Sequence, residues 1–388
     1  MDFVKFGIIG TGNMGTGHTN SISQLSNAKL TAVCDINPKA FDRIKPEIRE
    51  KIKCYTDAET FFKEADIDAV IIAVPHYFHP DLAIMAMQYG KHLIVEKPIA
   101  VHKKDAERMI AEAAKHPELK KSLMFNQRTL PAHIKLKELI DKGELGELRR
   151  VCWTITNWFR TQYYYDSGDW RASWRGEGGG VLLNQCPHQL DLFQWFFGMP
   201  TMVRASAKLG KYHDIEVEDD VNAYMEFANG MTANFIASTG EAPGVNRLEI
   251  TGERGLLILE NGQIHFKRNE EEMTDYSRRS PKGFAAPPCW DCTIPIPAAG
   301  VVAHRAIIEN VAAAVLGKAE LIAPLEEGIR GLELGNAMLY SGLKDVTVNM
   351  PLDSQAYAEM LAKLVENSRW QKKTVENTTQ SDEFNKSF

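Results

Sequence analysis

Gly10-Thr11-Gly12-Asn13-Met14-Gly15 follows a short apolar run, Val4 to Gly10, and leads into an amphipathic stretch. In that context G-x-G-x-x-G has a physical meaning. Gly10 permits a tight turn, Gly12 lets the backbone approach a pyrophosphate, and Gly15 lets a helix pack closely on the strand before it. Asp35 comes 20 residues after Gly15, at the end of the next apolar run, Lys29 to Asp35. Its carboxylate can accept both hydroxyls of an adenine ribose and would repel a 2′-phosphate. The residues after it, Ile36, Asn37 and Pro38, include no arginine to hold that phosphate, so NAD is expected rather than NADP.

Lys97, in Glu96-Lys97-Pro98, directly follows the apolar run Lys91 to Val95. A lysine at the carboxyl end of a central parallel strand stands in the crevice where open α/β sheets bind ligands. Desolvation there, with a positive nicotinamide ring nearby, lowers its pKa towards the working pH, which makes it an acid and base for a carbinol. Glu96 suits a positioning role. Asn184 and His188 are four residues apart around a predicted helix start, so their side chains should face one way. An amide there could orient a polar group but could not take its proton.

Three other groupings invite chemistry. His76 and His79 have H-x-x-H spacing, but without a glutamate between them or a third ligand nearby no metal is expected. Cys289-Trp290-Asp291-Cys292 falls in what reads as a proline-rich loop, with no second pair to complete a zinc site. Trp158, Arg160, Tyr163, Tyr164, Tyr165, Trp170, Arg171, Trp174 and Arg175 interleave aromatic and basic residues just before the glycines 178–180. Flat rings suit the C–H faces of pyranoses, and arginines suit hydroxyls or phosphates.

The elements that position these residues follow from hydrophobic rhythm. Ala69 to Val74 and Ser122 to Phe125 join the three runs above as strands buried on both faces, and amphipathic stretches lie between them. This predicts a doubly wound parallel sheet of Rossmann type over residues 1–125. From about residue 147 alternating runs take over: Leu148 to Trp158, Met202 to Lys211, Asp220 to Phe227, Met231 to Ser238 and Arg247 to Thr251, with hairpin signals at Asn229-Gly230 and Asn261-Gly262. They predict an α+β domain over 126–370, one large open, mostly antiparallel sheet with helices near 187–197, 302–316, 326–343 and 354–367 on one face. Residues 371–388 read as a disordered tail.

The 388 residues, 44% hydrophobic and 25% charged, are ordinary globular composition. A net charge of −6 has the wrong sign for gripping nucleic acid. No apolar run approaches the length that spans a bilayer, no export signal is visible, and six cysteines are too sparse for a disulfide scaffold, so a cytoplasmic protein is expected.

Val74-Pro75-His76-Tyr77-Phe78-His79, Glu96-Lys97-Pro98, and the segment from Gly178 through Asn184, Pro187 and His188 to Asp191 together resemble the Gfo/Idh/MocA family, named for glucose-fructose oxidoreductase, inositol dehydrogenase and a rhizopine catabolism protein. The resemblance runs from Val4 to about Trp370. It implies that Val74, Pro75, His76, His79, Glu96, Lys97 and Gln127 join Gly10, Gly12, Asn13, Met14 and Asp35 around NAD. It also implies that Asn184 and His188 bind the substrate's hydroxyls beside Lys97, which leaves proton transfer to Lys97 and His188 because an amide stands at the carboxylate's position; Arg160, Tyr163, Trp170, Arg171 and Trp174 of the aromatic and basic stretch are expected to meet the same substrate. The family usually has Asp where this chain has Asn184, and commonly Asn where it has His76. The implied activity is NAD-dependent oxidation or reduction of a secondary hydroxyl of a sugar, glycoside or inositol. Two alternatives share the residues: a redox-neutral glycoside-cleaving enzyme working through a transient keto-sugar, and a non-catalytic nucleotide-sensing regulator. The uncovered sheet face implies a homo-oligomer, dimer or tetramer.

Overall fold

The computed structural model describes residues 2–168, 170–297 and 303–368. The stretch 371–388, expected to be a tail, lies outside the described residues. Strands β1 (Val4–Ile9), β2 (Ala28–Cys34), β3 (Lys53–Tyr55), β4 (Ala69–Ile72), β5 (His92–Val95) and β6 (Lys121–Leu123) form a parallel sheet in the order β3-β2-β1-β4-β5-β6. Val70, Ile71 and Ile72 are fully buried, as are Leu93, Ile94 and Val95, which is why these strands read as unbroken apolar runs. Of these six strands only β3 escaped the sequence reading. It is a three-residue edge strand with two of its side chains exposed, so it has no apolar run to reveal it.

Strand order reverses between β1 and β4, which opens a crevice at the carboxyl ends of the strands. The Gly10 loop follows β1, Val74 and Pro75 follow β4, and Glu96 and Lys97 follow β5. Three candidate segments, scattered over some ninety residues of sequence, therefore converge on one edge of the sheet.

The second sheet comprises β7 (Leu148–Ile155), β8 (Met202–Leu209), β9 (Glu218–Glu226), β10 (Thr232–Ser238), β11 (Asn246–Gly252), β12 (Gly255–Glu260), β13 (Gln263–Asn269), β14 (Cys289–Ile294) and β15 (Val348–Asn349). Their order is β14-β13-β12-β11-β7-β10-β9-β8-β15, antiparallel throughout except where β10 runs parallel to β7. Asn261 and Gly262 join β12 to β13 with φ of +52° and +72°, the left-handed backbone that a two-residue hairpin requires. The proline-rich loop expected around Cys289 and Cys292 is instead the edge strand β14; its burial is slight, so it lacks the apolar alternation that marks other strands.

Helices Pro187–Phe197 and Gly328–Lys344 cover one face of this sheet. Gly342 comes so close to β8 that a Cβ there would lie 2.5 Å from the Ala207 nitrogen. The chain then returns to the first sheet. The Ser122 hydroxyl and the Leu123 amide donate to the Ala323 carbonyl at 2.8 and 3.0 Å, and the Asn27 amide donates to the Glu309 carbonyl. Helix Ala303–Val315 packs on helix Asn13–Ile22, so late sequence helps wall the crevice. Among the described residues no helix is long and apolar enough to cross a membrane.

Candidate active site

The glycine loop has the shape the sequence demanded. Gly10 has φ +89°, and a Cβ on Gly15 would stand 1.9 Å from the Gly10 carbonyl oxygen. At Gly12, by contrast, a Cβ would meet nothing within 4 Å, so the backbone there faces open space. Helix Asn13–Ile22 begins at Gly12 without a side-chain cap, leaving the amides of Asn13 and Met14 available to an anion. Asp35 is held in place by the Thr11 amide and hydroxyl on one oxygen, at 2.7 and 3.0 Å, and by the Asn37 amide on the other at 2.9 Å. Beside it Ile36 is 91% exposed, an apolar side chain with a free face at the crevice. These features fit a dinucleotide.

Lys97 is half-buried, and its ammonium donates to the Asn184 carbonyl at 3.0 Å. Burial lowers the Lys97 pKa; Glu96 and Glu177 oppose the shift, and Arg171 and Arg160 reinforce it. Glu96 is buried, with one oxygen 2.7 Å from His18 Nε2 and the other accepting the Lys97 backbone N–H at 3.2 Å. Burial alone would raise its pKa, but the His18 bond and the neighbouring His18, His304 and Lys97 bring it to about 2. Glu96 is thus an anion that fixes the backbone under Lys97.

Asn184 ends the short helix Val181–Asn184, and His188 lies in the first turn of Pro187–Phe197, so the expected single helix start is a break between two helices. The Asn184 amide donates to Glu177, whose other oxygen accepts the Ala172 N–H at 2.6 Å. His188 is 2% exposed, and among the described residues its buried Nδ1 has no hydrogen-bond partner. Burial and the Lys97 charge hold its pKa well below the usual imidazole range. A neutral imidazole beside Lys97 results.

His79 is fully buried, with Nδ1 2.8 Å from the Pro98 carbonyl and Nε2 2.8 Å from the Val74 carbonyl. Its two nitrogens face carbonyls of the loops after β4 and β5, so the ring is clamped between those loops and donates to one of them. His76 packs against it at 5.9 Å and against Trp170 at 5.4 Å, ring centre to ring centre. Trp170 and Arg171 reach the same wall, while Arg160 lies 5.1 Å from the Tyr164 ring centre. Tyr163 is an exposed surface residue, and Trp174 is 4% exposed within the hydrophobic core, so the aromatic platform expected at Trp174 is core packing.

Residues 4–121 match the oxidoreductase family with NAD-binding Rossmann fold, and residues 133–258 match the GFO/IDH/MocA C-terminal domain, together more than half of the chain. The chain belongs to the Gfo/Idh/MocA family. Among curated relatives, inositol 2-dehydrogenase of Rhizobium meliloti is 28% identical over 87% of this chain and 96% of its own. Levoglucosan dehydrogenase of Pseudarthrobacter phenanthrenivorans is 24% identical over 90% and 99%. The solved structure of the WlbA dehydrogenase from Chromobactrium violaceum, with NADH and UDP-GlcNAcA, superposes with a TM-score of 0.77 at 25% identity, over 91% of this chain and 97% of that one. This Gfo/Idh/MocA protein is an NAD-binding oxidoreductase, and its first sheet is the NAD-binding domain.

Several residues of this family member's crevice were not foreseen. His18 could have been, because Gly15, His18, Thr19 and Ile22 form the buried stripe of their helix, and a histidine in such a stripe needs a buried partner. Glu177 adjoins the glycines, and its acidity there was a usable signal. His304, which Asn126 reaches at 3.1 Å and which burial pushes down to about 4, had none: it enters from helix Ala303–Val315, late in the sequence. Gln127, by contrast, was among the residues the resemblance implied; next to Asn126, it accepts from Gln189 at 3.3 Å and stands on the same wall.

Proposed function

We propose that this protein is an NAD-dependent dehydrogenase acting on a secondary hydroxyl of a sugar, glycoside or inositol. The observation that carries the reading is the Lys97 ammonium, shifted down by burial and aimed at the Asn184 carbonyl 3.0 Å away in a half-open crevice. NAD, when bound, supplies the hydride acceptor. The amides of Gly12, Asn13 and Met14 would hold its pyrophosphate, Asp35 its adenine ribose, and Val74, Pro75, His76, Glu96 and Gln127 would line the remaining wall, with His79 fixing that wall from behind.

In the oxidative direction Lys97, as free amine, takes the hydroxyl proton. His188, kept neutral by burial, orients the same hydroxyl or relays its proton, and the Asn184–Glu177 pair holds a neighbouring hydroxyl. The relatives support the substrate class, since curated ones are named for inositol and levoglucosan. The partly exposed outer face of the second sheet suits a second copy of the chain, and six free cysteines suit a reducing cytoplasm.

The test incubates protein and NAD with a panel of inositols, aldoses and glycosides, following NADH absorbance and released aglycone together. NADH formation with at least one of them, lost in Lys97→Ala, is expected. Aglycone release without NADH, or no turnover at all, would overturn the reading.

A further inference from the structure

Two guanidinium groups share one aromatic ring on the wall of the crevice. The Arg171 carbon lies 4.7 Å and the Arg160 carbon 5.1 Å from the Tyr164 ring centre. The two guanidinium groups therefore lie within about 10 Å of each other, a range over which two cations repel unless an anion offsets them. Among the described residues no carboxylate comes within salt-bridge distance of either. The nearby acids are already engaged: Glu177 by Asn184 and the Ala172 amide, Asp219 by His213, and Asp166 by Gln162. Arg171 donates instead to a neutral group, the Tyr164 hydroxyl at 2.9 Å, and Arg160 donates to the neighbouring Phe159 carbonyl.

Two buried donors in this place have no acceptor among the described residues, Arg160 Nε and Trp158 Nε1, and the Arg160 guanidinium lies 5.4 Å from the Trp158 ring centre. Buried N–H groups left without acceptors are costly unless a ligand completes them. The scaffold behind them is fixed. The Arg160 carbonyl accepts from His213 Nε2 at 2.8 Å and its amide donates to the Thr239 carbonyl at 2.9 Å. After Arg171, Ala172 is held by Glu177 at φ +59°, a left-handed backbone that a side chain adopts only when its surroundings impose it. The Tyr164 hydroxyl also accepts from Gln185 at 3.3 Å, one residue beyond the Asn184 carbonyl that holds Lys97, so the arginine pair and the lysine belong to one site.

Resting on the dehydrogenase reading, we propose that the substrate carries an anionic group, carboxylate or phosphate, received by Arg160 and Arg171 while its reacting hydroxyl meets Lys97. Planar guanidinium forks match either oxyanion. A substrate of this class is a sugar or polyol acid, or a sugar phosphate, rather than a neutral polyol.

The experiment compares kcat/KM and binding for D-glucuronate, glucose 6-phosphate, D-glucose and myo-inositol in the NAD-loaded protein, in Arg160→Gln, Arg171→Gln and Arg171→Lys. Charged hydrogen bonds of this kind are worth about ten- to a hundredfold each, so at least one anionic compound should exceed its neutral counterpart by that margin. The ratio should collapse in Arg171→Gln and partly return in Arg171→Lys, with the loss in KM more than in kcat. Which anionic compound wins separates carboxylate from phosphate. Binding to NAD-loaded Lys97→Ala, read by tryptophan fluorescence, tests the anion site without turnover. Anion binding there without NADH formation by the unmodified protein would sink the dehydrogenase reading and leave the anion site alone standing. Neutral compounds turned over as well as charged ones, or Arg substitutions that weaken NAD rather than the anion, would overturn it.

Discussion

The Lys97 ammonium and the Asn184 carbonyl meet at 3.0 Å although 87 residues separate them in the chain. One follows strand β5 of the parallel sheet and the other ends a helix of the second half, so the contact joins the two halves at the crevice. A side chain held in this way is oriented before any substrate arrives.

Lys97→Ala should lower single-turnover hydride transfer about 10²–10⁴-fold, the range credited to a positioned acid or base. NAD affinity, measured separately by fluorescence, should survive. Lys97→Arg should rescue little because guanidinium keeps its proton at any accessible pH. Near-normal transfer in Lys97→Ala would make Lys97 a structural residue.

The downward shift of Lys97 predicts a pH dependence with a definite sign. Oxidation needs the free amine, so kcat/KM in that direction should rise with pH and level off below the range of an exposed lysine, near 10.4. The reverse reaction needs the ammonium and should fall over the same interval. A profile that keeps rising up to the ordinary lysine range would contradict the burial effect.

Asp35 should set cofactor choice, because it lies fixed by Thr11 and Asn37 and, among the described residues, forms no ion pair. The unmodified protein should bind NAD well and NADP poorly. Asp35→Ala should narrow that gap mainly by weakening NAD, in titrations of both cofactors. Equal binding of the two by the unmodified chain would remove the role assigned to Asp35.

Arg128 and Asp191 form a buried two-bond pair at 2.8 and 2.6 Å, with both side chains about 1% exposed. Removing one partner leaves an uncompensated buried charge, so Arg128→Met should cost about 3–5 kcal/mol in urea unfolding. The double variant Arg128→Met with Asp191→Leu should recover part of that loss. Additive losses would show that the pair does not act as a unit.

Glu218 is fully buried, and burial pushes its carboxyl up to about 7 against the hydrogen bonds it accepts from Gly180 and Leu182 at 2.9 and 3.0 Å. Between about pH 4.5 and 7 the folded protein holds a proton that the unfolded chain has lost, so stability should fall as pH rises through that window. Glu218→Gln should flatten the slope, by up to about 3 kcal/mol between its ends. Urea midpoints at pH 5 and 7.5 check this, and an unchanged slope in the variant would reject it.

What the sequence determined by itself was whatever local chemistry dictates. Runs such as Ala69 to Ile72 announce buried strands, the glycine loop announces its turn through backbone freedom, and Asn261-Gly262 announces a hairpin through positive φ. Strands β3 and β14 were hidden for a related reason: at sheet edges burial is slight, and no apolar pattern forms. Tertiary structure alone decided the partners of buried polar groups. His18 and Glu96 lie 78 residues apart, Asn126 and His304 178 apart, and only the folded chain brings them within hydrogen-bond reach. Trp174 and Trp170, close in sequence and alike in type, likewise part ways, one into the core and one onto the crevice wall. Hydrophobic periodicity reports burial along a single element. A hydrogen bond or a wall between distant elements depends on how the two sheets and the returning helix are placed, and that placement is written in no single segment.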